Sequence, residues 1–83
     1  MRVKVKLYAM LSDYLPPGSK RNVGEVEVED GVTVSQLIAH LKLPPELTHL
    51  VLLNGVYIAP EKRDTSPVTS EDEFAVFPPI AGG

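Results

Sequence analysis

Two segments of this chain alternate with period two and carry opposite charge on their polar faces. In the first, Val3, Val5 and Leu7 are interleaved with Arg2, Lys4 and Lys6. In the second, Val26 and Val28 are interleaved with Glu25, Glu27 and Glu29. Strict alternation marks a strand with one face in a core and one in water. Opposite charge then favours antiparallel pairing of the two, with Arg2 beside Glu29, Lys4 beside Glu27 and Lys6 beside Glu25. The same register sets Val3 against Val28 and Val5 against Val26. Such cross-strand pairs contribute roughly 0.2–1 kcal/mol each, so they select a register more than they hold a fold. Between the strands, Ala9 to Leu15 has the makings of a helical turn or two that Pro16-Pro17-Gly18 stops, followed by exposed loop.

Asp30-Gly31 leads into the clearest helical signal. Thr33 is a natural N-cap, and Gln36 three residues later completes a capping box. Val34, Leu37, Ile38 and Leu41 fall at i, i+3, i+4 and i+7, an apolar stripe suited to one face of a sheet. Pro44-Pro45 prevents continuation. His49 to Asn54 reads as a third strand, mostly buried because its apolar residues run without alternation. Asn54-Gly55 is a strong hairpin signal, and Val56-Tyr57-Ile58 begins a returning strand cut short by Pro60. Glu61 to Asp72 is polar and turn-rich, and a last strand spans about Phe74 to Phe77.

One amphipathic helix needs a sheet to cover its stripe. The order strand, strand, helix, strand, strand, strand therefore predicts an α+β domain of the β-grasp (ubiquitin-like) type. Its expected architecture is a mixed sheet of four to five strands with one main helix packed across it. The domain is expected over residues 1–77, with an extended tail over 78–83. Eighty-three residues leave little for a second domain.

Composition removes several classes of function. The net charge of −3 argues against a nucleic-acid binder and against an anionic membrane surface. With no cysteine, disulfides, thiolate metal sites and cysteine nucleophiles are out of reach. The N-terminal stretch has no apolar secretory core, and Leu50 to Leu53 is far too short to span a bilayer, which makes the cytoplasm the default location. His40 and His49 lack a third ligand at metal spacing and read as structural or surface residues. Glu71-Asp72-Glu73 reads as a solvated turn, and Glu61-Lys62-Arg63-Asp64 as a solvated loop. No nucleophile elbow, phosphate loop or dinucleotide fingerprint is present. No bound metal or cofactor is expected.

After Phe77, Pro78-Pro79 fixes an extended backbone, and Ile80, Ala81, Gly82 and Gly83 follow. Six residues at ~3.1 Å each reach roughly 19 Å, enough to enter another protein's cleft. Lacking Cβ atoms, Gly82 and Gly83 can pass through a narrow channel. The reactive group at the tip is the Gly83 carboxylate, a poor electrophile until a partner converts it to an acyl-adenylate. A frayed end without a function is the plain alternative.

Phe77-Pro78-Pro79-Ile80-Ala81-Gly82-Gly83 resembles the F-P-P-x-x-G-G ending of the MoaD/ThiS ubiquitin-like sulphur carriers, most nearly of the MoaD branch that forms the small subunit of molybdopterin synthase. Leu53-Asn54-Gly55 resembles that family's central hairpin, and Leu7-Tyr8-Ala9 with Leu11 the end of its first strand. The chain departs from the family at Ser70-Glu71-Asp72-Glu73, where relatives carry a glycine.

The resemblance implies a mechanism. An E1-like adenylating enzyme of the MoeB type uses ATP and magnesium to activate Gly83, and a sulphurtransferase supplies sulphur, leaving a thiocarboxylate. The tail then enters a MoaE-type large subunit and donates sulphur to a pyranopterin precursor in molybdenum or tungsten cofactor synthesis. On this reading the chain has no catalytic site of its own; Gly83 and Gly82 are the working residues, and Phe77, Pro78, Pro79, Ile80 and Ala81 contact partners. For Phe77 a core role is equally compatible with the sequence. A ThiS-like carrier for thiamine thiazole synthesis, a protein modifier joined through Gly83 and a non-activated β-grasp interaction module are the other readings.

Overall fold

The structure is a computed structural model that describes residues 1–79. Five strands form one mixed sheet: β1 (Arg2–Leu7), β2 (Val23–Glu27), β3 (Leu50–Leu53), β4 (Val56–Tyr57) and β5 (Glu73–Phe77). They lie in the order β2-β1-β5-β3-β4, with β1 and β5 parallel and the other neighbours antiparallel. The helix α1 (Val34–His40) packs on one face, and short 3-10 helices occupy Ala9–Tyr14, Pro45–Leu47 and Pro60–Lys62. This is the β-grasp arrangement expected from the sequence.

The core forms between α1 and the sheet. Val3, Val5, Leu7, Val51, Phe74 and Val76 from the strands are fully buried together with Val34 and Leu37 from the helix. Leu41 is buried as well, and Ile38 packs against the cluster from its rim. The capping box is present as read: the Thr33 hydroxyl accepts from the Gln36 amide at 3.2 Å, and the Gln36 side chain accepts from the Thr33 amide at 2.9 Å. Asn54 and Gly55 turn β3 into β4 with φ of 54° and 81°, both in the left-handed region that this pair tolerates.

The β1–β2 register differs from expectation by two residues. Arg2 lies opposite Glu27, Val3 opposite Val26, Lys4 opposite Glu25, Val5 opposite Gly24 and Lys6 opposite Val23. A two-residue shift preserves which side chains face the core, and the evenly spaced glutamates still give Arg2 and Lys4 a partner, while Lys6 comes to face Val23. Local geometry decides. Lys20 and Val23 exchange both backbone hydrogen bonds at 3.0 Å around Arg21-Asn22, with Arg21 at φ 56°. Gly24 can then take its place because a Cβ there would lie 2.2 Å from the Ser19 hydroxyl. Lys6 instead pairs with Glu73 on β5 at 3.1 Å.

Two further expectations are corrected. β3 is not mostly buried: Val51 is, whereas Leu50, Leu52 and Leu53 are half-buried, because α1 covers one face of the sheet and only two-residue β4 flanks β3 on the side away from β5. Arg63 does not belong to a solvated loop. It is 8% exposed, donating from Nε to the Ile58 carbonyl at 3.1 Å and from Nη1 to the Thr48 carbonyl at 3.2 Å. Its guanidinium thus ties the segment after β4 to the segment before β3. The turn without glycine is also accounted for: Asp72 accepts from the Thr69 amide at 2.7 Å, and none of residues 69–73 has a positive φ.

Candidate functional site

The tail starts where β5 ends, and β5 is the middle strand of the sheet, paired with β1 on one side and β3 on the other. Central position fixes that starting point better than an edge strand could, since both ladders restrain it. Phe77 lies opposite Leu50 in the β3–β5 register. On the other side its ring stacks on Tyr8, with centroids 4.1 Å apart and planes 4° from parallel. The Tyr8 amide donates to the Val76 carbonyl at 3.3 Å, which extends the β1–β5 pairing to the base of the tail.

Alternation along β5 puts Phe74 and Val76 on the helix side and Ala75 and Phe77 on the opposite side. Phe77 is therefore half-buried and outside the core beneath α1. Of the two roles the sequence allowed for it, packing in the main core is not the one it takes. Pro78 is half-buried and Pro79 exposed. Ile80, Ala81, Gly82 and Gly83, which the sequence places in the site, lie outside the described residues.

The outer sheet face near this point is apolar. Leu50, Phe77 and Tyr8 form one row across three chain segments, and Tyr57, Leu52 and Ala75 form the next, ending at Lys6. Tyr57 is exposed, and Met10 and Tyr14 are exposed on the neighbouring 3-10 helix. Contiguous apolar surface of this kind marks an interaction face. Sequence reasoning missed Leu50, Leu52, Tyr8 and Tyr57 in this role. The continuous run Leu50 to Leu53 hid which side chains point away from α1, although Tyr8 does continue the outward parity of Lys4 and Lys6.

Among the described residues, no group of three or more His, Cys, Asp or Glu could hold a metal ion. An open groove lined by Glu27, Asp30, Gln36 and His40 lies toward the start of β1, at the other end of the sheet from Phe77. There the N-terminal ammonium donates to the Val28 carbonyl at 2.6 Å and lies 3.2 Å from Glu27 and 3.7 Å from Asp30. Asp72 accepts from the Asn54 amide group and from Thr69, and these bonds hold its carboxyl below the usual aspartate range. No described helix is long and apolar enough to cross a membrane.

The family profile of the ThiS family matches residues 17–83, a span that takes in the hairpin, the middle strand and the whole tail. The chain belongs to the ThiS family. Solved structures agree with this membership. SAMP1 from Haloferax volcanii is 26% identical, each chain covering 100% of the other, with a TM-score of 0.67. The molybdopterin converting factor subunit 1 of Pyrococcus furiosus is 22% identical over 96% of this chain and 99% of that one, TM-score 0.68. A chain from the complex of subunits 1 and 2 of the Helicobacter pylori molybdopterin-converting factor is 20% identical, with full coverage of both and a TM-score of 0.60. No curated protein matches the chain. The β-grasp fold of MoaD/ThiS carriers and of small ubiquitin-like modifiers is thus the fold of this ThiS-family member.

Proposed function

We propose that this chain is a sulphur carrier that works through a thiocarboxylate on Gly83 and serves as the small subunit of a molybdopterin synthase-type complex. The observation that carries the reading is that the ThiS-family match runs to Gly83, through a tail rooted on the central strand at Phe77. An E1-like enzyme of the MoeB type would use ATP and magnesium to form the acyl-adenylate, releasing pyrophosphate. Sulphide, or a sulphurtransferase persulfide whose acyl disulfide a thiol then reduces, would displace AMP from the carbonyl carbon and leave the thiocarboxylate. A chain without cysteine has no thiol that could carry the sulphur instead. Delivery to a pyranopterin precursor would occur inside a MoaE-type large subunit, with hydrolysis returning the carboxylate.

On this reading the chain contributes presentation rather than catalysis. The Tyr8–Phe77 stack and Leu50 hold the base of the tail, Pro78-Pro79 stiffen it, and Gly82-Gly83 reach through the partner's channel. The apolar outer face supplies the docking surface, with Phe77 at its tail end. The Helicobacter pylori relative is itself seen as a complex of subunits 1 and 2, which supports a partner of that kind here. The test is the intact mass after incubation with an E1-like enzyme, ATP, magnesium and a sulphur donor. Replacement of one oxygen by sulphur is expected, and it should vanish when Gly83 is deleted.

A second reading has its own support, because SAMP1 of Haloferax volcanii, described as small archaeal modifier protein 1, is similar over its full length. The same adenylate could be captured by a lysine of another protein, joining the chain through Gly83. Lysine-linked adducts on cellular proteins would reveal it. A ThiS-like role in thiazole synthesis shares the activation chemistry and would differ in which synthase accepts the sulphur.

A further inference from the structure

The β3–β4 turn carries a chemistry that the carrier function does not use. Asn54 is followed by Gly55, both are exposed, and glycine places no side chain in front of its own backbone nitrogen. That nitrogen can attack Cγ of Asn54. The new N–Cγ bond replaces the Cγ–Nδ2 bond, ammonia leaves with the proton from Gly55, and a cyclic imide results. Water then opens the imide at either carbonyl, giving aspartate or its β-linked isomer. The other asparagine, Asn22, is followed by β-branched Val23, which hinders the same attack.

The fold holds the Asn54 amide at both ends. Its Nδ2 donates to Asp72 Oδ1 at 2.7 Å, and its Oδ1 accepts from the Glu73 amide at 2.8 Å. Asp72 is itself fixed, because its other oxygen accepts from the Thr69 amide at 2.7 Å. The Asn54 backbone amide donates to the Glu73 carbonyl at 2.9 Å, so backbone and side chain are anchored to the same neighbouring segment. Swinging Cγ against the Gly55 nitrogen requires both side-chain bonds to break.

We propose that Asn54-Gly55 is a deamidation site guarded by the Asp72 clasp, and that modification there is irreversible in its structural effect. After conversion, a carboxylate stands where Nδ2 donated, facing the Asp72 carboxylate. The β-linked product also adds a backbone atom to a two-residue turn whose left-handed geometry sets the β3–β4 pairing. The clasp cannot re-form in either product.

The test follows deamidation of the full chain at mildly alkaline pH by peptide mapping, with Asn22 as the internal reference. Asp72→Ala is expected to deamidate at Asn54 roughly tenfold faster than the parent, because a charge-assisted bond no longer restrains the amide. Val26→Ala, which loosens the core on edge strand β2 with β1 between it and β5, is expected to leave the Asn54 rate close to the parent's. Equal rates in parent and Asp72→Ala, or equal acceleration by Val26→Ala, would overturn the guarding role. A second measurement decides the matter should Asp72→Ala fail to fold. Asn54→Asp should be less stable than the parent, and adding Asp72→Asn should restore stability by exchanging donor and acceptor across the clasp. An Asn54→Asp variant as stable as the parent, or no recovery in the double variant, would contradict the proposal.

Discussion

Tyr8 and Phe77 stack face to face, 4.1 Å between centroids, at the point where β1 and β5 run out side by side. Neither ring lies in the core under α1. The pair forms a brace on the outer face, directly beneath the residue that starts the tail. A double-mutant cycle with Tyr8→Ala and Phe77→Ala, read by urea denaturation, is expected to give a coupling energy of about 1 kcal/mol. Strict additivity would mean that the rings do not support each other. Phe77→Ala should also weaken binding of a MoaE-type subunit by roughly tenfold or more, as loss of an aromatic anchor does. Unchanged affinity would remove Phe77 from the docking surface.

Asp72 makes stability depend on acid. Its carboxyl sits below the usual aspartate range, chiefly through the Asn54 bond and next through the Thr69 amide. A folded-state value depressed below the unfolded one gives a contribution that is complete above the unfolded value, about 3.9. It is lost as pH falls through the folded value. The parent is therefore expected to lose stability on acidification more steeply than Asp72→Ala in that window. Parallel curves for the two proteins would show that the Asn54 and Thr69 bonds do not favour the ionised form.

Arg63 is buried without a carboxylate partner among the described residues, bonding two backbone carbonyls instead. Arg63→Met keeps much of the volume but leaves the Ile58 and Thr48 carbonyls without donors, which should cost about 2 kcal/mol or more. Arg63→Lys should recover little, since one ammonium cannot reproduce the planar fork. Stability in the lysine variant equal to the parent's would show that charge, and not the two-carbonyl geometry, is what matters.

The Thr33–Gln36 capping box closes the start of a helix only seven residues long. Thr33→Ala should cost about 1 kcal/mol in thermal or urea unfolding, within the usual range for such caps. Thr33→Ser should cost much less, because the hydroxyl remains.

What could be read from the residues was what depends on short-range pattern. Val3 and Val5 announce their face by alternation, Thr33 and Gln36 announce the helix start, and Asn54-Gly55 announces the turn. Register was not readable in the same way. Glu25, Glu27 and Glu29 offer Arg2 and Lys4 an acidic partner in either register, and the tight Lys20–Val23 turn chooses between the two. Burial of Arg63 was hidden because its acceptors, Thr48 and Ile58, meet only after the chain has folded back on itself. Serine, glutamate and aspartate at 70–72 gave no hint that Asp72 would close the turn by accepting the Thr69 amide. For the candidate site, Phe77 was legible from its place before Pro78-Pro79, whereas its partner Tyr8 and the outward-facing Leu50 and Leu52 required the sheet order to be seen.

The most direct measurement is the intact mass of the purified chain after incubation with an E1-like MoeB-type enzyme, ATP, magnesium and a sulphur donor. The account predicts a gain equal to exchanging one oxygen for sulphur, absent in a chain lacking Gly83. No adenylate and no mass gain, with the same enzyme active on an established carrier, would contradict it.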